Sequence, residues 1–203
     1  MSYIKTQNDY NYIRQNKYLI DVWNPKETEI IMGRFCVEEN DIKRNAYKDG
    51  ISIKRRPGGG GTVLLDNGVL VVDIGILNYE RKKTKYFFEK FNNIIINVFK
   101  KHVGIQLEYD KEFYDLKYDN KKIAGVSLAV SNNIVLYGTS ILLRKDTIKK
   151  IDRYIKEPLK RPKYRGNRNH KDFLISLEEI KKFDSESLLK ILKKEIEVHI
   201  CRK

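Results

Sequence analysis

The segment VLVVDIGI, residues 69–76, is an almost unbroken apolar run. Its eight residues suit a β-strand and fall far short of the roughly 20 that a membrane-spanning helix needs. A strand that lacks alternation between apolar and polar positions is typically covered on both faces. We therefore predict a strand here with other elements packed on both sides of it.

Further strands are predicted before and after this run. Short apolar or alternating segments precede it at residues 18–25, 29–35 and 51–54. The segments FYDLKY, KIAGVSLAV and IVLYGTSILL follow, separated by Asp119-Asn120 and by Ser131-Asn132-Asn133. Polar turn residues between apolar strands are typical of antiparallel hairpins, so this part is predicted to be a meander.

Helical spacing appears between and after these strands. Residues 84–101 carry apolar side chains on one helical face, and a later helix is expected to have Asp146 as its N-cap and to stop before Pro158. Ser176 and Glu179 fit a capping box, and a last helix is predicted from about residue 184. The sequence thus predicts an α+β fold, with a mixed, mostly antiparallel sheet and flanking helices.

Composition narrows the class of protein. The chain has 203 residues, 41% of them hydrophobic, which suits one domain over residues 1–203. It has no apolar signal-peptide core at its N-terminus, so we expect a soluble cytoplasmic protein without a membrane partner. The two cysteines, Cys36 and Cys201, are far apart and share no metal-ligand spacing with the three histidines, so no zinc site is predicted.

The formal net charge of +14 predicts an anionic partner. A nucleic acid, an acidic protein domain and a nucleotide all fit this charge. Many of the lysines are expected only to solvate the surface.

The segment RRPGGGG, residues 55–61, is the strongest local signal for a ligand site. It fits neither a Walker motif nor a dinucleotide fingerprint, and it leads into strand formers rather than a helix. Glycines let a ligand approach the backbone and its N–H groups, and the arginines can hold phosphate or carboxylate. Because side chains alternate along a strand, Arg55 and Arg56 are expected to point to opposite faces, so that one faces a ligand and the other can bind the protein.

Four segments in order resemble the lipoate–protein ligases of the biotin/lipoate ligase family. RRPGGGGTVLLDNG is similar to R-R-x-S-G-G-G-A-V-x-H-D-x-G, and IIMGRFCVEEN to a strand ending in I-G-R-x-Q-N. YDLKYDNKKIAGVSL resembles N-D, a strand and K-K-I-x-G-S-A, and LYGTSILL resembles H-G-T-L-L. The resemblance spans residues 20–195.

This resemblance implies a catalytic domain of the class II aminoacyl-tRNA synthetase and biotin ligase type, without the accessory C-terminal domain that many members carry. It implies that ATP, with Mg²⁺, activates lipoate to lipoyl-adenylate. The acyl group then passes to a lysine of an acidic lipoyl carrier domain, of the glycine cleavage H protein or 2-oxoacid dehydrogenase E2 type. A separate accessory subunit is a further expected partner.

The resemblance also implies roles for individual residues. Lys122 corresponds to the essential lysine, and Asp115 to the aspartate beside the nucleotide and its magnesium. Substrate or nucleotide binding is implied for Arg56, Gly58, Gly59, Gly60, Gly61, Thr62, Asp115, Gly125, Tyr137, Gly138 and Thr139. Gly125 and Gly138 are expected to permit close packing rather than to take part in chemistry.

The chain departs from the family pattern at five positions around the expected ligand. Gly58 replaces a serine, Leu65 and Tyr137 replace histidines, Tyr114 replaces an asparagine and Cys36 a glutamine. Two alternatives therefore remain open. One is an octanoyl or lipoyl transferase with a thioester donor and Cys36 as nucleophile. The other is a non-catalytic nucleotide- or RNA-binding member that uses the basic loop of residues 156–173, with nucleic acid ranked below the carrier domain.

Overall fold

The computed structural model describes residues 7–78 and 80–201, with the side chains of Gln7 and Cys201 excepted. The N-terminal residues 1–6 and the Cys201 thiol, on which the sequence analysis drew, lie outside that description. The strands are β1 (Tyr18–Trp23), β2 (Glu29–Met32), β3 (Ser52–Arg55), β4 (Val63–Leu65), β5 (Val69–Leu77), β6 (Glu108–Tyr109), β7 (Leu116–Tyr118), β8 (Lys121–Ser131) and β9 (Ile134–Leu142). The helices are α1 (Gln7–Asn16), α2 (Glu38–Asp41), α3 (Arg44–Lys48), α4 (Thr84–Val98), α5 (Lys145–Tyr154), α6 (His170–Phe173), α7 (Leu177–Ile180) and α8 (Ser185–Cys201).

Two sheets form the framework. The larger has six strands in the order β1-β5-β9-β8-β7-β6, and each neighbouring pair is antiparallel. The smaller has the order β3-β2-β4, with β2 parallel to β3 and antiparallel to β4. The predicted α+β fold with a mixed, mostly antiparallel arrangement is therefore confirmed.

Strand β5 is buried along its length except at Leu77, as its unbroken apolar run predicts. Alternation sends Leu70, Val72 and Ile74 into one hydrophobic core with apolar residues of α4 and α8. The intervening Val69 and Val71 enter a second core with residues of β2, β4 and α5. Because β5 separates two cores, both of its faces are mainly apolar, and its one buried carboxylate, Asp73, accepts from Nε1 of Trp23 at 3.0 Å.

The structure confirms some of the predicted helix and strand ends and differs from the prediction at others. The capping box of Ser176 and Glu179 is present, and α8 begins at Ser185 beside Asp184, whose carboxylate accepts from the Ser187 amide at 3.0 Å. Asp146 is not an N-cap: it lies in the first turn of α5, and Arg144 occupies the capping position. The second predicted strand, expected to end at Gly33, ends one residue earlier, at Met32.

Helix α4 ends at Val98 and continues into a single π-helical segment, Phe99–Val103, which Gly104 terminates in a left-handed conformation (φ 74°). In the described part of the chain, no helix combines the length and the apolarity that crossing a membrane requires.

Candidate active site

The glycine run forms a loop between β3 and β4 that lies against β8. A Cβ atom on Gly58 would stand 3.4 Å from the Cβ atom of Ser127, and one on Gly60 would stand 3.3 Å from the carbonyl oxygen of Val126. Gly60 has a left-handed backbone (φ 87°), which glycine adopts at little cost. The loop therefore covers the strand that begins at Lys121.

Both arginines before the glycines bind backbone carbonyls of the protein. The buried Arg56 guanidinium donates to the carbonyl oxygens of Gly59 at 2.8 Å and Gly61 at 2.7 Å. Arg55 donates to the carbonyls of Gly33 at 2.8 Å and Cys36 at 2.7 Å. The two arginines thus organise different backbone segments: Arg55 binds the turn after β2, and Arg56 binds the glycine loop and also lines the neighbouring cavity.

This arrangement leaves the loop amides available. The carbonyl of Gly58 accepts from the Arg34 amide at 2.9 Å and that of Gly60 from the Cys36 thiol at 3.5 Å, so all four glycine carbonyls of the loop are bound by protein donors. Among the described residues, the N–H groups of Gly59, Gly60 and Gly61 have no hydrogen-bond acceptor. Unpaired backbone N–H groups in a curved loop can bind an anion.

Lys122 and Asp115 form a close ion pair on the neighbouring strands. The Nζ atom of Lys122 lies 2.9 Å from Oδ1 of Asp115, and the Tyr164 hydroxyl donates to Oδ2 of Asp115 at 3.2 Å. The Asp115 side chain is only 8% exposed and that of Lys122 26%. Burial raises the pKa of Asp115, while Lys122 and Tyr164 oppose that rise by stabilising the carboxylate.

Gly125 makes room for the lysine. A Cβ atom at this position would lie 3.2 Å from Nζ and 3.3 Å from Cε of Lys122, which is tighter than a relaxed contact. A Cβ atom on Gly138 would similarly lie 3.2 Å from Oγ of Ser127 and 3.3 Å from Oδ1 of Asp73. Both glycines thus occupy positions where a larger side chain would crowd the site.

A cavity of about 760 Å³ joins these parts. Its walls come from the glycine loop, strands β8 and β9, the segment around α2 and the segment of residues 156–174. The predicted site residues that line it are Arg56, Gly60, Gly61, Thr62, Asp115, Lys122, Gly125, Gly138 and Thr139. The lysine and the glycine backbone therefore line the same open cleft.

The structure does not bring three predicted residues to this cavity. Tyr137 is 1% exposed in the core, where its hydroxyl donates to Oδ1 of Asn92 at 2.8 Å and its ring packs on Phe91. Gly58 lies against Ser127 and Gly59 binds the Arg56 guanidinium through its carbonyl, and neither residue lines the cavity. The expected direct ligand contact of Tyr137 is corrected accordingly.

Sequence reasoning missed the residues that the basic loop supplies. Arg165 and His170 line the cavity, and both bind Glu157: Arg165 through its guanidinium, and His170 through its amide at 2.9 Å. The Arg165 guanidinium also stacks over Phe173, 4.6 Å from the ring centre. Some arginines of this loop thus stabilise the loop itself by binding other parts of the protein, a role that the basic composition of the loop alone did not indicate.

The His170 imidazole is buried, with Nε2 3.7 Å from Oε1 of Glu157. Burial lowers the pKa of His170, and Glu157 only partly offsets this effect. Its Nε2 atom lies 3.2 Å from the carbonyl oxygen of Lys156.

Cys36 also lines the cavity, with its Sγ atom 3.5 Å from the Gly60 carbonyl. Burial and a hydrogen bond with Asp41 raise the pKa of the Cys36 thiol. A thiol with a raised pKa carries little thiolate at neutral pH and is a poor nucleophile.

The side chains around Asp115 do not fit a magnesium site. Both carboxylate oxygens are already bound, one by the Lys122 ammonium and the other by Tyr164. No group of three or more potential metal ligands occurs within residues 7–78 and 80–201. The implied role of Asp115 as a magnesium ligand is therefore not supported by its surroundings.

Solved structures share this fold at low sequence identity. A crystal structure of lipoate-protein ligase A bound with ATP is 17% identical, with a TM-score of 0.78 over 94% of this chain and 78% of that one. A bipartite lipoate protein ligase from the archaeon Thermoplasma acidophilum, described with its E2 lipoyl domain, is 18% identical, with a TM-score of 0.76 over 91% and 71%. LipL1 of P. falciparum in complex with lipoate is 23% identical, with a TM-score of 0.69 over 90% and 49%.

A search of curated protein sequences found no match to this chain. The family model of the lipoyl protein ligase A/B catalytic domain, in contrast, matches residues 10–197. That match includes the glycine loop, the Asp115–Lys122 pair and the strands that carry them. The chain therefore belongs to the lipoyl protein ligase A/B catalytic domain family.

Proposed function

We propose that this protein is a lipoate–protein ligase that binds lipoate and ATP in the 760 Å³ cavity and joins them as lipoyl-adenylate. The observation that carries the proposal is the shared cavity of the Lys122 ammonium and the glycine loop, with Lys122 paired to the buried Asp115. One similar structure contains ATP and another contains lipoate, which supports these two substrates.

The chemistry fits the groups that face the cavity. The lipoate carboxylate attacks the α-phosphorus of ATP, the bond to the β-phosphate breaks and pyrophosphate leaves. Negative charge on the phosphate and the acyl oxygen is stabilised by a fixed ammonium and by backbone N–H groups. Lys122 and the amides of Gly60 and Gly61 supply such groups on this chain, and no step is assigned to magnesium.

The second step is proposed to transfer the acyl group to a carrier. The amine of a carrier lysine attacks the acyl carbonyl carbon, and AMP leaves. An acidic lipoyl carrier domain, of the E2 or glycine cleavage H type, would complement the net charge of +14. The bipartite T. acidophilum ligase supports a lipoyl domain as substrate and a separate accessory subunit as helper.

The alternatives gain less support from the site. The raised pKa of Cys36 disfavours an acyl-thioester route through this thiol. Several arginines of the loop at residues 156–173 bind Glu157 or backbone carbonyls, so they are less available to RNA phosphates than their number indicates.

The proposal predicts that Lys122→Ala abolishes lipoyl-adenylate formation. The loss of one preorganised cationic group is expected to lower the rate about 100-fold or more; the variant should still fold, with a lower melting temperature because the buried Asp115 loses its ion-pair partner. Mass spectrometry after incubation with ATP and lipoate measures the adenylate. Gel-shift or mass analysis of a lipoyl domain measures transfer, with preformed lipoyl-adenylate supplied in a parallel reaction.

Lys121→Ala is the matched control, since it removes the neighbouring lysine, which does not line the cavity. It should change either rate by no more than about twofold, as most surface substitutions do. Full activity of Lys122→Ala in both steps would refute the mechanism. A wild-type protein that neither makes lipoyl-adenylate nor uses it, with a bipartite-type accessory subunit present, would refute the function.

A further inference from the structure

Asn92 is a polar residue inside the apolar face of helix α4. It is completely buried, and its neighbours on the helix, Phe91 and Ile95, belong to the main core. Its Nδ2 atom donates to the carbonyl oxygen of Tyr114 at 2.8 Å, and its Oδ1 atom accepts from the Tyr137 hydroxyl at 2.8 Å. Because a carbonyl can only accept, the first contact fixes the orientation of the amide and makes Tyr137 the donor in the second.

The residue that Asn92 holds has an unusual backbone. Tyr114 is left-handed, with φ 61°, a conformation that aromatic residues rarely adopt. Its ring stacks on Phe88 with centres 4.4 Å apart and an interplanar angle of 4°, and its amide donates to the Asp110 carbonyl at 2.9 Å. Contacts with helix α4 and with Asp110 therefore maintain the backbone immediately before Asp115.

We propose that Asn92 and Tyr137 are positioning residues for the Asp115–Lys122 pair. The chain of hydrogen bonds from the Tyr137 hydroxyl through Asn92 to the Tyr114 carbonyl holds the left-handed residue in place. That backbone directs the next side chain, Asp115, toward Lys122, 2.9 Å away at the cavity. The catalytic consequence rests on the proposed function, whereas the placement of Lys122 does not.

The two tyrosines are also two of the positions at which the chain departs from the family pattern. Tyr114 stands where that pattern has asparagine, and Tyr137 where it has histidine. Asn92 accepts from the Tyr137 side chain and donates to the backbone carbonyl of Tyr114, so it links the two positions, through a side chain at one and through the main chain at the other. We infer that they act as one structural unit behind the site rather than as two lost ligand contacts.

Two variants test the inference, and each has two readouts. Tyr137→Phe keeps the ring in the core and removes only the hydroxyl, while Asn92→Leu removes both hydrogen bonds. The first readout is the labelling of Lys122 by reductive methylation, scored by peptide mass spectrometry relative to the exposed Lys145. The second is the single-turnover rate of lipoyl-adenylate formation, together with the affinity for lipoate.

The hydrogen-bond chain predicts that both variants raise Lys122 labelling, because the ammonium is released from Asp115. Tyr137→Phe should slow adenylate formation about fivefold, the factor of one net hydrogen bond, with lipoate affinity unchanged. Tyr154→Phe is the matched control: it also removes one tyrosine hydroxyl that donates a hydrogen bond, but the acceptor is Oδ2 of Asp49, at 2.9 Å, which is not part of the hydrogen-bond chain through Asn92. It should change neither readout.

Unchanged Lys122 labelling in a folded Tyr137→Phe protein would overturn the inference, and this variant decides alone if Asn92→Leu fails to fold. Asn92→Leu is also combined with Asp115→Asn. If Asn92→Leu slows the reaction by the same factor in the Asp115→Asn protein as in the wild type, the inference is overturned, because the effect does not pass through Asp115. If the wild type makes no lipoyl-adenylate, the proposed function is wrong. The labelling experiment still tests the placement of Lys122 in that case, because it does not depend on activity.

Discussion

At the scale of single residues, Asp115 has the most constrained environment of the site. Its carboxylate is buried between the Lys122 ammonium and the Tyr164 hydroxyl. Burial makes the ionised form costly, and the two donors recover only part of that cost, so the pKa is raised. The buried charged pair at the cavity therefore lowers the stability of the folded protein. Such costly burial of charge is common at sites where a charged group takes part in a reaction.

The raised pKa of Asp115 predicts a specific pH dependence of stability. The folded protein holds this proton more tightly than the unfolded chain, whose pKa is near 3.8. The resulting stability is present below that pH and is lost as the pH rises through the folded pKa. Asp115→Asn has no carboxyl group to titrate and so does not lose stability in this way. The free energy of unfolding of Asp115→Asn minus that of the wild type should therefore increase as the pH rises from about 3.8 through the folded pKa of Asp115. Urea unfolding at a series of pH values measures this difference.

Asp146 provides a control of opposite sign. It is exposed, and its hydrogen bond with Lys149 lowers its pKa below 3.8, so it stabilises the wild type only once it is ionised. The difference between Asp146→Asn and the wild type should therefore fall as the pH rises. A difference for Asp115→Asn that is flat, or that falls with pH, would contradict the assigned environment.

At the scale of elements, the end of β2 and the glycine loop approach each other closely. A Cβ atom on Gly33 would lie only 2.0 Å from the carbonyl oxygen of Gly60, a distance that no side chain tolerates. Arg55 binds the carbonyls of Gly33, Arg34 and Cys36, which turns the chain away from the strand after Met32. This crossing gives a physical reason why β2 ends at Met32, immediately before the glycine at which the sequence predicts its end.

The crossing predicts that Gly33→Ala displaces the glycine loop. We expect a loss of about 1–3 kcal/mol in the free energy of unfolding, typical of overpacking, and weaker lipoate binding measured by calorimetry. Gly59→Ala is the stability control, because a Cβ atom there would meet nothing within 4 Å. It should change stability by about 0.5 kcal/mol or less. Equal stability of the two variants would show that the close approach is not present in solution.

At the scale of the whole molecule, the cavity lies where the two sheets meet and the chain carries a large positive charge. A net charge of +14 speeds the encounter with an acidic partner but does little for substrates already bound in the cavity. The two proposed steps should therefore differ in their sensitivity to salt.

Raising NaCl from about 50 mM to about 500 mM should lower kcat/KM for an acidic lipoyl domain about tenfold or more, since charges farther apart than a few ångströms are screened. The single-turnover rate of adenylate formation from prebound substrates should change by less than about threefold. Rapid-quench assays of each step provide the comparison. An equal decline of both rates would argue against electrostatic recognition of the carrier.

The success of sequence reasoning depended on how local each feature is. The buried strand β5 and the capping box at Ser176 follow from neighbours two or three residues apart, and both were predicted. The N-cap at Asp146 was not correct because the amide of Lys145, at the start of α5, is bound by the side chain of Glu178, a residue from a distant part of the chain. Helix starts that are capped across space leave no local signal.

The sequence by itself determined the α+β class and the position of the glycine loop, and its motifs resemble the family closely enough to single out Lys122 and Asp115, because strand periods, turn residues and motif spacing are properties of the sequence itself. Only the tertiary structure decided that Arg56 turns toward the loop carbonyls, that Tyr137 points into the core and that Tyr164 and Asn92 support the site. Those directions depend on which surfaces pack together when the two sheets and helix α4 meet. No pattern of neighbours along the chain specifies that packing.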